Sequence, residues 1–228
     1  MIVKMFTISL FFSFDINITA PECAFPDISY ESKWYATMLL PIAGGVALFA
    51  MFVLKLIHKY IWRNKRGWTA LTKHGNQLMA VFVIMLYYLY LPLLRKSLEI
   101  VNCTPAEPDD GHLYTEWTSI NCAAGVCRCW ESWGDPQMQM LPYALGCLVL
   151  YGIGYPLYVT YVIMENKELI KEDQLLRAMN TGDTRASNPM AYDIRKKYHK
   201  LYYHFKPGKV YWMILVLIRK FWIAVAGR

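Results

Sequence analysis

Long uncharged, apolar runs divide this chain. Residues 35–54 and 75–94 are 20 residues each without a charge, and 136–164 is a run of 29. A hydrocarbon core of roughly 30 Å takes about 20 apolar residues in helical form. Inside lipid only helices or closed barrels satisfy the backbone's polar groups, and runs this continuous are helical. The pattern predicts an all-α, polytopic helical membrane protein, a single domain over 1–228 with full spans at about 35–57, 76–94 and 138–164.

A fourth apolar segment, 210–228, is interrupted by Arg219 and Lys220. Its nine Val, Ile, Leu and Phe residues favour insertion by about 3–5 kcal/mol, and two centred cations at about +2.5 to +3.5 kcal/mol each cancel that. Arg219 and Lys220 are therefore expected as anchors at the inner interface. A partial fourth span then starts at about 210 or, more economically, 221, and runs through 228 and beyond. The alternative is an intramembrane cation pair with a pore or voltage-sensing role.

Between the spans the periodicity changes. Residues 165–179 mix charges with Leu169, Leu175, Leu176 and Met179, as in a soluble helix, and a turn-rich break follows at 180–189. Residues 192–205 are basic and aromatic. Ile194, Tyr198, Leu201, Tyr202 and Phe205 share one helical face, which predicts an interfacial helix on the cytosolic leaflet with Arg195, Lys196, Lys197 and Lys200 toward anionic headgroups. In the first span Pro41, Gly44 and Gly45 point to close helix packing. Tyr87, Tyr88 and Tyr90 in the second need partners for their hydroxyls. In the third, Gly152, Gly154 and Pro156 predict a bend near Tyr155, with Gly154 and Pro156 as the hinge. Residues 1–14 are apolar but too short to cross, and they read as the tail of a span whose beginning is absent. A signal anchor and an interfacial helix are the other readings.

Charge sets the orientation. The 55–73 loop holds six Lys or Arg and no acid, 165–209 holds ten, and the 95–135 loop carries seven acids against three basic residues. The positive-inside rule places 58–75 and 165–209 in the cytosol, and 15–33 and 95–137 outside. Both glycosylation candidates, Asn17 and Asn102, fall on the outer side, as do the disulfide candidates Cys23, Cys103, Cys122, Cys127 and Cys129. Cys147 lies in the third span as an apolar thiol. The net charge of +7 flanks the spans instead of forming a basic domain, so nucleic acid is not an expected partner. No catalytic constellation, cofactor motif or metal spacing is present: the five His residues stand apart, and a zinc reading of Cys122, Cys127 and Cys129 conflicts with the oxidising side. No carboxylate or His lies within the uncharged runs, which disfavours ion-coupled transport.

Several stretches carry a likeness. Leu94-Arg95-Lys96-Ser97-Leu98-Glu99-Ile100-Val101-Asn102-Cys103, Asp110-Gly111-His112-Leu113-Tyr114 and Cys129-Trp130 resemble the outer loop of transient-receptor-potential-like membrane domains of protists and fungi. Tyr151-Gly152-Ile153-Gly154-Tyr155-Pro156-Leu157 resembles the helix after it. Phe205-Lys206-Pro207, Tyr211-Trp212 and Arg219-Lys220 are similar to the family's helix entry and its Arg-Lys pair, and Phe14-Asp15-Ile16-Asn17 with Pro21-Glu22-Cys23 to its outer segment. The resemblance implies part of a channel-like domain that often follows cysteine-rich ephrin-receptor-like repeats, serving cation transport or sensing in the full-length protein. The alternative is the membrane anchor of a cell-surface receptor or adhesion protein. The expected partners are the bilayer, anionic headgroups at its cytosolic face and, as an open point, further copies of the chain. The expected location is the plasma membrane or a ciliary or internal membrane on the secretory route. No enzyme activity is expected.

Overall fold

The computed structural model describes residues 29–61, 67–105, 111–115, 128–130, 133 and 135–226. The candidates Asn17, Cys23, Cys122 and Cys127, and the apolar segment 1–14, lie outside the described residues. The described chain is mostly helical.

Helix α1, Tyr30–Ile61, begins where Ser29 Oγ accepts the Ser32 amide at 3.3 Å, with Glu31 in the first turn toward the helix dipole's positive end. Helix α2, Gly67–Glu99, ends with Lys96 in its last turn, ion-paired to Glu99 at 2.8 Å. Beyond it strand β1, Cys103–Pro105, pairs antiparallel with β2, Leu113–Thr115, in the register Cys103↔Thr115. The expectation of an all-α chain needs this one addition. The Cys103–Cys129 disulfide and the Tyr114–Arg128 bridge tie the same short loop. A tethered segment with little room for a helical turn satisfies its amides by pairing across.

The third expected span is one rod in three pieces. Helix α3, Pro136–Cys147, starts on a proline, a residue suited to the first helical turn because it has no amide to leave unpaired. A seven-residue π-helical segment, Leu148–Gly154, follows, and then α4, Tyr155–Glu165. Helix α5, Lys167–Ala178, closes with left-handed Asn180 (φ 57°) and Gly182 (φ 89°), where Thr181 donates its amide to Leu176 O at 2.9 Å. Helices α6, Tyr192–Tyr202, and α7, Trp212–Ala226, complete the chain.

Three stretches are long and apolar enough to cross a membrane: Tyr30–His58, His74–Glu99 and Gln137–Glu165. Only 22% of the apolar window of the first is buried inside the protein, and Ile42, Val46, Phe49 and Leu54 are exposed on it. Such a face is what lipid accommodates and water does not. These helices are compatible with an integral membrane protein.

Two compact units make up the molecule. One takes in Met1–Leu40, Leu89–Gly154 and Lys220–Arg228, with Trp34, Tyr90, Leu94 and Met140 buried in it. The other takes in Pro41–Tyr88 and Tyr155–Arg219, with Val83, Met85, Ile170, Tyr202 and Leu217 buried.

Candidate functional site

In the first unit the chemistry centres on the π-helical segment. An α-helix would aim the amide of residue 156 at the Gly152 carbonyl, but Pro156 has no N–H, and its ring crowds that carbonyl. The widened turn just before it relieves the crowding. The buried Tyr90 hydroxyl donates to the Gly152 carbonyl at 3.1 Å, a polar bond from α2 to the π-helical segment. A Cβ on Gly152 would stand 2.9 Å from Leu94 Cδ2, so the Leu94 side chain of α2 packs directly on this glycine. One residue earlier, Tyr151 donates its hydroxyl to the Met38 carbonyl of α1 at 3.1 Å. Trp34 Nε1 donates to the Lys96 carbonyl at 2.9 Å, and Ser97 Oγ donates to Met38 Sδ at 3.7 Å. Helices without a hydrophobic drive toward each other in lipid are held by such bonds and by small residues.

Gly154 ends the π-helical segment, and Pro156 is the second residue of α4. In the second unit Tyr155 donates its hydroxyl to the Val83 carbonyl at 3.3 Å. A Cβ on Gly44 would stand 2.5 Å from Met85 Sδ, so the end of the Met85 side chain from α2 lies directly over this glycine of α1.

The disulfide loop is fastened by Gln137, which is fully buried. Its Nε2 donates to the Ile100 carbonyl and to Cys103 Sγ at 3.1 and 3.3 Å, and its Oε1 accepts the Trp130 amide at 3.1 Å. Trp130 is held in the left-handed region, φ 67°, which costs about 1–2 kcal/mol for a side chain of this kind. Cys129 pairs with Cys103, while Cys147 is a free, half-buried thiol in α3. Asn102 sits half-buried between α2 and β1, its amide on the Leu98 carbonyl.

Polar residues form a clasp between α5 and α6. The Asp173 carboxylate, 2% exposed, accepts Asn188 Nδ2 at 2.8 Å and the Tyr202 hydroxyl at 2.9 Å, and lies 3.5 Å from Arg195. Asn188 Oδ1 in turn accepts the Ala191 amide at the start of α6. Burial, and then Asp173 beside it, push the Tyr202 hydroxyl far above its ordinary range, so it stays a donor. Gln174 Nε2 donates to the Tyr202 and Phe205 carbonyls, and Arg177 to those of Tyr203 and Phe205. Side chains of α5 thus satisfy the carbonyls that α6 leaves free at its C-terminus.

This arrangement changes one expectation. Leu201 and Tyr202, assigned to a leaflet-facing stripe, are buried, whereas Leu175 and Met179 are exposed. The face of α5 turned inward carries Ile170, Asp173, Gln174 and Arg177 at the spacing of a helical stripe, mostly polar. Sequence reasoning missed it because it sought apolar residues at that period; polar residues at the same period were the available signal.

Helix α7 begins at Trp212 and runs unbroken through Arg219 and Lys220. Arg219 is exposed. Among the described residues no three His, Cys, Asp or Glu side chains come together as metal ligands would. No protein-family model matches the chain, and no curated protein or solved structure does.

Proposed function

We propose that the chain is a helical part of a channel-like membrane domain that serves cation transport or its sensing in the full-length protein. The supporting observation is the π-helical Leu148–Gly154 segment inside a membrane-length helix, with Pro156 just after it and the Tyr90 hydroxyl bonded to the Gly152 carbonyl. A passive anchor requires only length and apolarity. A wide turn whose lost backbone bond is replaced by a neighbouring helix can change register without leaving a polar group bare in lipid, and π segments recur at functional positions. The resemblance to transient-receptor-potential-like domains points the same way. In this reading Lys196, Lys197 and Lys200 meet anionic headgroups, copies of the chain assemble around a conducting path, and the protein reaches a surface, ciliary or internal membrane by the secretory route.

The test is cation flux from the full-length gene product reconstituted in liposomes, after alkaline carbonate extraction has confirmed that it stays with the membrane. Flux above that of empty vesicles, altered by Pro156→Ala, is expected. An embedded product that passes no current at any potential defeats the channel reading and favours the receptor or adhesion anchor. Extraction into the supernatant defeats the membrane reading altogether.

A further inference from the structure

Between α6 and α7 the chain turns on Pro207 and Gly208. Lys209 donates its amide to the Lys206 carbonyl at 3.0 Å and Gly208 is left-handed, φ 77°, the β-turn that a Pro-Gly pair favours. Such a turn holds its first and fourth residues, here Lys206 and Lys209, within about 7 Å of each other. It is fastened from behind by α5. Gln174 Oε1 accepts the Gly208 amide at 3.2 Å, and Gln174 Nε2 and Arg177 Nη2 donate to the Phe205 carbonyl at 3.3 and 3.0 Å. Both lysines are exposed, and residues 194–218 hold six Lys or Arg and no acid. Two cations that start from one braced turn repel, so an anion shared between them is favoured.

The residues that follow place the turn at a leaflet surface. The Lys209 carbonyl accepts the Trp212 amide at 3.2 Å, and Lys209 Nζ lies 5.8 Å from the centroid of the Tyr211 ring, so cation and aromatic levels adjoin. Tyr211 and Trp212 are stacked, ring centroids 5.9 Å apart, and both are exposed. Leu215 and Ile218 continue the exposed stripe along α7, and Arg219 is exposed at its far end. An apolar stripe of this kind, with lysines at one edge and an arginine at the other, suits the membrane interface: its aromatic and aliphatic side chains sink into the acyl boundary and its cations stay among the headgroups.

We propose that the Lys206–Lys209 turn is a docking site for anionic phospholipid, its two ammonium groups sharing one headgroup of the phosphatidylserine type in the leaflet that the charge rule makes cytosolic. Each ammonium offers three donors to the phosphate and carboxylate oxygens, and the net negative charge of that headgroup complements the pair. The proposal deepens the headgroup contact proposed above for the α6 lysines and rests on the membrane reading, independently of channel activity. Lys196 and Lys197 are only half-exposed, with Lys196 Nζ 5.2 Å from the centroid of the Tyr192 ring, whereas the turn presents its lysines freely.

The experiment acylates the lysines of the whole, unsubstituted protein in vesicles with a membrane-impermeant reagent and reads each site by mass spectrometry. Vesicles of phosphatidylcholine alone are compared with vesicles in which about a third of the lipid is phosphatidylserine. Lys167 and Lys171, exposed on α5, serve as internal references that cancel any general effect of the vesicle charge on the reagent. Relative to them, Lys206 and Lys209 are expected to react about fivefold more slowly in the phosphatidylserine vesicles, and added salt is expected to restore the rate. Slowing no greater than that of Lys171 overturns the proposal, as does protection confined to Lys196, Lys197 and Lys200. Equal protection in phosphatidylcholine vesicles from glycerophosphoserine in solution overturns it in favour of a soluble anion, and protection that appears only at high protein-to-lipid ratio overturns it in favour of a second copy. Carbonate extraction of the same samples separates these failures from failure of the membrane reading.

Discussion

Asp173 is the residue on which the α5–α6 pair turns, because every group around it is matched to its negative charge. Asn188, Tyr202 and Arg195 all direct donors to it. Asp173→Ala leaves Arg195, largely buried, with an uncompensated charge on that side, a change that costs about 3–5 kcal/mol for a buried pair. Arg195 keeps the Gly182 carbonyl and Asp183, so a loss near about 3 kcal/mol is expected in chemical unfolding in micelles. Asn188→Ala should lose less, since it removes one donor to the carboxylate and the acceptor of the Ala191 amide but leaves Arg195 paired with Asp173. His199 gives the same pair a pH dependence. Burial first, then Lys200, Arg195 and Lys196, push its imidazole down to about 4 from an ordinary 6.5. Between those values the unfolded chain binds more protons, so this contribution is fully present above about pH 6.5 and is lost as pH falls through about 4. Thermal unfolding in micelles followed from about pH 7 down to about pH 4 should show that decline, and His199→Gln should flatten it. None of this was legible in the sequence, where Asp173 is one charge in a run of charges. Its burial depends on Asn188 and Tyr202, which approach only once the break between α5 and α6 has closed.

At the scale of elements, the apolar runs and the helices they become agree closely. The third rod, Gln137–Glu165, covers the expected span at about 138–164, and its Gly and Pro residues announced an irregularity. What kind of irregularity was not readable, because a proline in a membrane helix can be met by a kink, a water or a neighbouring hydroxyl. Here a π-helical turn precedes it, and the Tyr90 hydroxyl donates to a carbonyl within that turn. A double-mutant cycle tests that account. Tyr90→Phe is expected to cost about 1 kcal/mol, between the average of about 0.6 and the maximum of about 1.7 found for polar bonds between membrane helices. In a Pro156→Ala background the amide of residue 156 can reach the Gly152 carbonyl itself, so the same substitution should cost clearly less. Equal costs in both backgrounds would show that the hydroxyl and the proline act separately.

For the molecule as a whole, the solvent is the dominant fact. A face such as that of Ile42, Val46 and Phe49 is written directly in the uncharged run because lipid imposes its requirement residue by residue, without reference to the rest of the fold. The sequence by itself therefore determined three membrane-length helices and the arrangement of charge around them. Only the tertiary structure decided which cysteine meets Cys103, which hydroxyl meets the Gly152 carbonyl, that a helix passes through Arg219 and Lys220, and that α5 turns its polar stripe inward. The reason is physical. Apolarity is a property of each side chain alone, whereas a buried donor or charge is tolerated only when a partner arrives from elsewhere in the chain, and local pattern does not say which one arrives.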